Sequence, residues 1–473
     1  MPRSWLADLR ARFGGGREEA GLGILAFEAA AAMSRLVSLD RAMSDVEVRR
    51  LRADALRAEG VARATSTDQP LLLRLACGEL VADLDRAAAT AARLGARCCH
   101  RAAPSSFLHD FDRVYAEAKR GNGLARLDAA VGFYRGAAKR FRKMERHVAA
   151  TARLYAEMDT LGELEASERR MVQWMRHSGP IPAQQPAPAS AKRQQQAAEP
   201  SEKLMRELRS QRQKVRRLME SSLWSAAAHK VSKLLAKSVL AVLARISIAF
   251  GANVPGLPVL TVGRAWAIRR TSGPLQPAAS PAAAIRHSAP IFRQKDTAFS
   301  ASDSIKPPAS TVGGSGMELR YANVIVSAEK VLRELWPAIH SDEMDAGMDL
   351  SKRDELYKML PVTIREAVKA RLRESWKGQA VDEAAAAASM DAVDRTLRWL
   401  APMAHDTVRW HDERSMERAQ RFSMRPRVLM VQTLHFADRH KAEDAIVEVL
   451  IGLSCVCWYD DERRRPADWD EDD

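Results

Sequence analysis

Apolar residues recur every three or four positions along most of this chain, the spacing that gathers them on one side of an α-helix. The block GILAFEAAAAMSRLVSL, Gly23 to Leu39, follows it. Ser44-Asp45-Val46-Glu47 is an S-x-x-E capping box. Its hydroxyl satisfies an orphan amide at a helix start while the carboxylate reaches back. The helix it opens is expected to run to about Gly60. Pro70 suits a first helical turn, and a helix over Leu71 to Leu94 is predicted with Gly95 as its stop. Phe107 to Arg120 is predicted to follow, closing at Gly121. Ala137, Phe141, Met144, Val148, Thr151, Tyr155 and Met158 then alternate four and three apart. They draw one seam down a long helix. The seam is short, with weak members at Ala137 and Thr151, so an intramolecular bundle helix is expected rather than a sustained coiled coil.

The pattern lapses twice. Ser178 to Pro200 is rich in Pro, Gln and Ala and has too few apolar groups to pack. Between Gly251 and Pro308 prolines recur without periodicity. Both read as disordered joints. Between them, Ser201 to Phe250 is helical, with Trp224, Ala228, Val231, Leu235, Val242 and Ile246 along one side. Beyond the second joint, TVGGSG (Thr311 to Gly316) reads as a flexible lead-in whose amides cap a helix at Met317. Tyr321, Val324, Ile325, Ala328, Leu332 and Leu335 form the stripe of that helix. Leu356 to Pro361 is predicted to stop one helix, and Ile364 to Trp376 to form another. Asp391 to Leu400 and Met403 to Phe422 flank Pro402, and the last pair are Val428 to Ala437 and Ala442 to Trp458.

The expected fold is therefore all-α, with two helical domains joined by a basic helical segment and Pro-rich linkers. The expected boundaries are a flexible basic N-terminus (1–21), an N-terminal helical domain (22–177), a linker (178–200) and the basic segment (201–250). A second linker (251–310), a C-terminal helical domain (311–459) and an acidic tail (460–473) complete the chain. At 473 residues the chain is longer than one comfortable core needs.

Charge changes the picture more than composition does. The formal net charge is +14 and the pI about 9.8, which favours anionic partners. Lys203 to Arg245 carries eleven Lys or Arg and two Glu, whereas Asp460 to Asp473 carries eight acids and three Arg. The candidate interaction surface lies in the basic segment. Arg206, Arg209, Arg212, Lys214, Arg216 and Arg217 precede Trp224, and Lys230, Lys233 and Lys237 precede an apolar run. A basic amphipathic helix with an aromatic anchor can lie on anionic lipid. The same composition grips nucleic-acid phosphates, serves as a nuclear import signal around Lys214-Val215-Arg216-Arg217, or forms the solvated face of a bundle helix. Trp5, Leu6, Leu9 and Phe13, flanked by arginines, make a second short amphipathic stretch, read as a frayed terminus.

Three groups of segments resemble the plant PSK-SIMULATOR family, whose members pair two domains of unknown function. The N-terminal phrases are GILAFEAA, MSRLVSL, LRADALRAEGV and LLLRLACGEL. SLWSAAAHKVSKLLAKSVLAVLARISIAFG lies in the middle, and TVGGSGMELRYANVIV, LYKMLPVTIREAVKARLRE, RWLAPMAHDTVRWHDERS and VQTLHFADRHKAEDAIVEVL follow in order. The resemblance implies growth regulation linked to peptide-hormone or defence signalling, exerted through contacts with other proteins rather than turnover. Longer family members begin Met-Gly and look like myristoylation substrates. Position 2 is Pro here, so the chain resembles the family's short branch and that anchor is not expected.

No chemistry emerges from the motifs. TVGGSG lacks the lysine of a P-loop. His405 and His411, six apart, cannot aim at one ion from one helix, and His435 and His440, five apart, fail similarly. No hydrolase, metalloprotease or kinase signature is present. The five cysteines (Cys77, Cys98, Cys99, Cys455, Cys457) have no zinc-finger spacing and read as buried free thiols. No catalytic residue, metal or cofactor is expected. The expected location is intracellular, with the nucleus favoured over the cytoplasm and the plasma-membrane periphery. Neither a signal peptide nor a membrane span is expected.

Overall fold

The structure is a computed structural model that describes residues 21–99, 107–120, 123–177, 189–257, 305–340, 350–375, 382–414 and 421–463. Among these residues the regular structure is helical, and the only extended pairings are isolated bridges, Gly21 with Ala227 and Thr311 with Asp438. The all-α expectation is met. In order the helices are α1 (Leu25–Ala42), α2 (Asp45–Ala53), α3 (Gln69–Cys99), α4 (Phe111–Lys119), α5 (Leu124–Val131), α6 (Ala137–His177) and α7 (Ala189–Ser221). They continue as α8 (Ala228–Phe250), α9 (Glu318–His340), α10 (Leu350–Met359), α11 (Val362–Ser375), α12 (Glu383–Arg414) and α13 (Arg439–Arg463).

Contacts divide the chain into two compact units. The first comprises residues 1–41, 83–245 and 421–425, the second 42–82, 246–420 and 426–473. In the first, α6 and α7 lie antiparallel: Thr151 meets Leu223, Glu157 meets Gln211, and Glu168 meets Arg212. The α6 seam is buried as expected, from Ala137 through Phe141, Met144, Val148 and Thr151. Leu154, Leu161, Val215 and Met219 form a shared cluster with Phe27 of α1. That burial, intramolecular and between neighbouring helices, fills the role a partner chain would have in a coiled coil.

The second unit is built on α9, α12 and α13, and the predicted α9 stripe is its centre, with Tyr321, Val324 and Ala322 fully enclosed. Tyr321 donates its hydroxyl to Glu443 at 2.5 Å. Residues 42–82, expected within the N-terminal domain, pack in this unit. Ala64 belongs to its core cluster, Asp438 N donates to Ala64 O at 2.7 Å, and the Arg63 guanidinium lies 5.8 Å from the Trp399 ring centre. Packing therefore follows different lines from the expected split between 22–177 and 311–459. Backbone proximity in sequence does not decide which apolar face finds cover.

Several expected elements differ for local reasons. Ser44 does accept the Glu47 amide, at 3.4 Å, but α2 ends at Ala53 and short turns at Ala55–Arg57 and Val61–Thr65 follow. Gly95 does not stop α3. It sits inside the helix, where a Cβ would come 2.6 Å from the Leu108 carbonyl, so it permits a close approach. The helix α7 begins at Ala189, inside the expected linker, because Ala, Lys, Arg and Gln there are strong helix formers. Helix Ser201–Phe250 breaks between Ser221 and Ala228. The two helices expected around Pro402 are one, α12. Pro402 is exposed, on a side of the helix where water can take the hydrogen bond that its lack of an amide leaves unmade. Val428 to Ala437 forms two 3-10 turns, Met430–Gln432 and Leu434–Phe436, instead of an α-helix. The acidic tail's first residues, Asp460 to Arg463, extend α13. The TVGGSG lead-in is packed, with Thr311 and Val312 fully buried. The N-terminal amphipathic stretch, Gly121 and most of the second joint lie outside the described residues.

Candidate interaction surface

The basic residues of α7 divide according to helix geometry. Leu208, Val215 and Met219 are buried on the side that meets α6. At about 100° per residue, Arg206, Arg209, Arg216 and Arg217 fall within an arc of about 100° on the opposite side. All four are exposed. They span twelve residues, or about 16 Å of helix. The result is a ridge of guanidinium groups, each able to hold a carboxylate or phosphate with two hydrogen bonds.

Arg212 and Lys214 belong elsewhere. Arg212 reaches Glu165 at 3.3 Å and Glu168 at 3.5 Å, and Lys214 reaches Glu157 at 2.7 Å. Hydrogen bonds from Lys214 and Gln211 hold the Glu157 carboxyl below its ordinary value. These two cations fasten α7 to α6. The Lys214-Val215-Arg216-Arg217 stretch thus lies mid-helix with Val215 fully buried.

Trp224 is half-buried beside Phe27, with ring centres 6.0 Å apart, and packs on the Leu154–Met219 cluster. Its carbonyl accepts the Gly23 amide at 2.9 Å. The indole is a half-buried packing residue of the first unit. On α8, Lys230 and Lys233 are exposed, while Lys237 donates to the Val131 carbonyl at 2.6 Å. Burial, with Lys233 and Arg140 nearby, pushes the Lys237 ammonium below its ordinary value.

A second basic surface in this unit escaped the sequence reading. Lys139, Arg142 and Arg146 of α6, with Glu145, line an open hollow of about 510 Å³. The signal was present in KRFRKMERH, between the seam positions, but the apolar repeat dominated that stretch.

In the second unit the expected histidines separate. His405 pairs with Glu329 at 2.6 Å, while His411 and His435 both approach Glu318. Among the described residues, no group of three or more His, Cys, Asp or Glu side chains is arranged to hold a metal ion. Cys77 and Cys457 are buried and Cys455 is half-buried, all three outside any disulfide, and burial pushes the Cys77 thiol up to about 12. No helix among the described residues is long and apolar enough to cross a membrane. Sequence reasoning missed Glu79, which is 3% exposed and accepts from Trp410 Nε1 at 3.1 Å, from Met430 N at 2.6 Å and from Arg414. No motif marks it, because its partners lie more than three hundred residues away.

Comparison with known proteins matches two stretches of the chain. Residues 24–80 match the family model described as "Domain of unknown function (DUF3475)", and residues 311–409 match "Protein of unknown function (DUF668)". No solved structure matches the chain. "Protein PSK SIMULATOR 1" of Arabidopsis thaliana is 24% identical over 91% of this chain and 55% of its own length. "Protein PSK SIMULATOR 2" is 21% identical over 91% of this chain and 58% of its own, and "Protein PSK SIMULATOR 3" is 24% identical over 91% and 56%. The chain thus spans little more than half the length of these curated relatives. With its relatives matched along 91% of its residues, and the two domains of unknown function at its N- and C-terminal ends, the chain matches the PSK-SIMULATOR family.

Proposed function

We propose that this protein is a non-enzymatic regulator of plant growth, linked to phytosulfokine-type peptide-hormone signalling, that works by binding other proteins. The observation that carries the reading is the match to three relatives named PSK SIMULATOR along 91% of the chain. The guanidinium ridge of Arg206, Arg209, Arg216 and Arg217 supports the contact surface, and acidic protein segments are the partners it fits. Trp224, half-buried against Phe27 and the cluster between α6 and α7, offers less apolar surface to lipid, which favours this reading over a peripheral-membrane adaptor. Helical packing without a nucleic-acid reader motif weighs against a nuclear nucleic-acid protein.

The test is complementation of phytosulfokine-dependent root growth in Arabidopsis thaliana lines lacking the three relatives. The full chain is expected to restore the response. A variant with Arg206, Arg209, Arg216 and Arg217 changed to Glu is expected to fold and fail. Failure of the unaltered chain to restore growth would sink the growth reading. Full rescue by the charge-reversed variant would remove the ridge from it. Salt-sensitive co-sedimentation of the protein with anionic vesicles would instead promote the adaptor reading.

A further inference from the structure

In the second unit an apolar groove opens to solvent among α9, α10, α11 and α13, lined by Val331, Leu360, Val368, Leu450 and Leu453. Its volume is about 80 Å³, far below the roughly 300 Å³ at which small-molecule pockets begin. A single side chain is the occupant that fits. Tyr357, also on the lining, is 41% exposed. Ser454 lines the groove as well, but its hydroxyl is spent on the Leu450 carbonyl at 2.7 Å. What remains open is apolar.

Cations stand beside it. Arg365 and Lys369 of α11 reach over the Tyr357 ring, 5.2 and 6.0 Å from its centre. Arg365 Nη2 donates to the Leu360 carbonyl at 3.2 Å, whereas its buried Nε has no hydrogen-bond partner. A buried donor left unmatched is costly, and a carboxylate is the acceptor that suits a guanidinium best. Residues 352–373 carry seven Lys or Arg against three acids. The groove therefore calls for an apolar ring flanked by carboxylates.

Such a sequence follows α13, just outside the described residues. Asp468-Trp469-Asp470-Glu471-Asp472-Asp473 holds one indole, five acids and no base. Asp461 and Glu462, at the end of α13, are matched in sequence by Arg463, Arg464 and Arg465. Pro466 cannot continue a helix and biases Arg465 towards extended backbone, so the chain is turned off the α13 axis there. From Arg463 back to Cys457 of the lining is about 9 Å along the helix, and to Leu453 about 15 Å. The six residues 464–469 extend to about 20 Å, enough to bring Trp469 to the groove. We propose that residues 464–473 fold back along α13 and seat Trp469 in this groove, with Asp468 and Asp470 paired to Arg365 and Lys369. The short tether holds the indole at an effective concentration on the order of millimolar, so any other occupant must displace it.

Fluorine NMR of the full chain carrying 5-fluorotryptophan tests this, with the Trp469 signal assigned by its loss in Trp469→Phe. That signal is expected to lie away from its position in the isolated 464–473 peptide and to be independent of protein concentration. Tyr357→Ala and Ser454→Arg should each move it to the peptide value. Asp468→Asn combined with Asp470→Asn should move it part of the way, as should added salt. Tyr357 is exposed, so its variant decides should Ser454→Arg fail to fold. A peptide-like signal in the unaltered chain would overturn the proposal, and so would a displaced signal that ignores a folded groove variant. A displacement that fades on dilution would also overturn it, and would give the groove to a second copy of the chain.

Discussion

Glu79 shows how much a single side chain can carry in this protein. Its carboxylate takes hydrogen bonds from an indole, a guanidinium and a backbone amide, all contributed from beyond residue 409. The Arg414 guanidinium lies 4.5 Å from the Trp410 ring centre and also reaches the Val428 carbonyl at 3.4 Å. Removing one member leaves a buried charge with part of its hydrogen bonding lost, which typically costs more than the pair contributes. Glu79→Ala is expected to destabilise the second unit by about 3 kcal/mol, with Arg414→Ala close behind and the double variant well short of the sum. Urea unfolding of the three variants, followed by tryptophan fluorescence, checks both the size and the non-additivity. The basic residues make the opposite point. Arg212 and Lys214 look identical to their neighbours in the sequence, yet pair with α6, whereas Arg206 and Arg217 are exposed.

At the scale of elements, amphipathic repeats were the most legible feature. The α6 seam and the α9 stripe were readable because their apolar positions repeat over several turns and both ended up buried. Helix ends were less legible, since Gly95 and Pro402 look like stops locally but sit inside α3 and α12. Gly95 is excused by the closeness of Leu108, and Pro402 by its exposure to water. Pro402 still costs α12 a hydrogen bond. Pro402→Ala is accordingly expected to stabilise the second unit, by about 1 to 3 kcal/mol given the helix penalty of proline. The check is the midpoint of chemical denaturation, which should rise with no change in slope.

For the whole molecule, the consequence lies in how residues 42–82 are packed. They supply Ala64, Glu79 and the Arg63 contact with Trp399 to the unit that holds α9, α12 and α13. Residues 24–80 and 311–409 match separate family models, but part of the first completes the core of the second. Residues 305–463 expressed alone are expected to remain helical but melt at lower temperature and bind a hydrophobic dye. A version carrying residues 42–82 on a flexible linker should recover a cooperative melt. Circular dichroism and dye binding on the two versions check this, and equal melting of both would show that the early segment is dispensable.

The sequence alone determined the all-α class, the buried faces of the long helices and the family resemblance. Each depends on short-range periodicity or on continuous phrases such as TVGGSGMELRYANVIV. Only tertiary structure decided which apolar faces cover one another, that Trp224 packs half-buried against Phe27, and that His411 and His435 both approach Glu318. Along one stretch of chain, a spacing of five or six residues keeps two histidines from converging. Their meeting comes from three separate elements folding onto one point, and no local pattern encodes that distance.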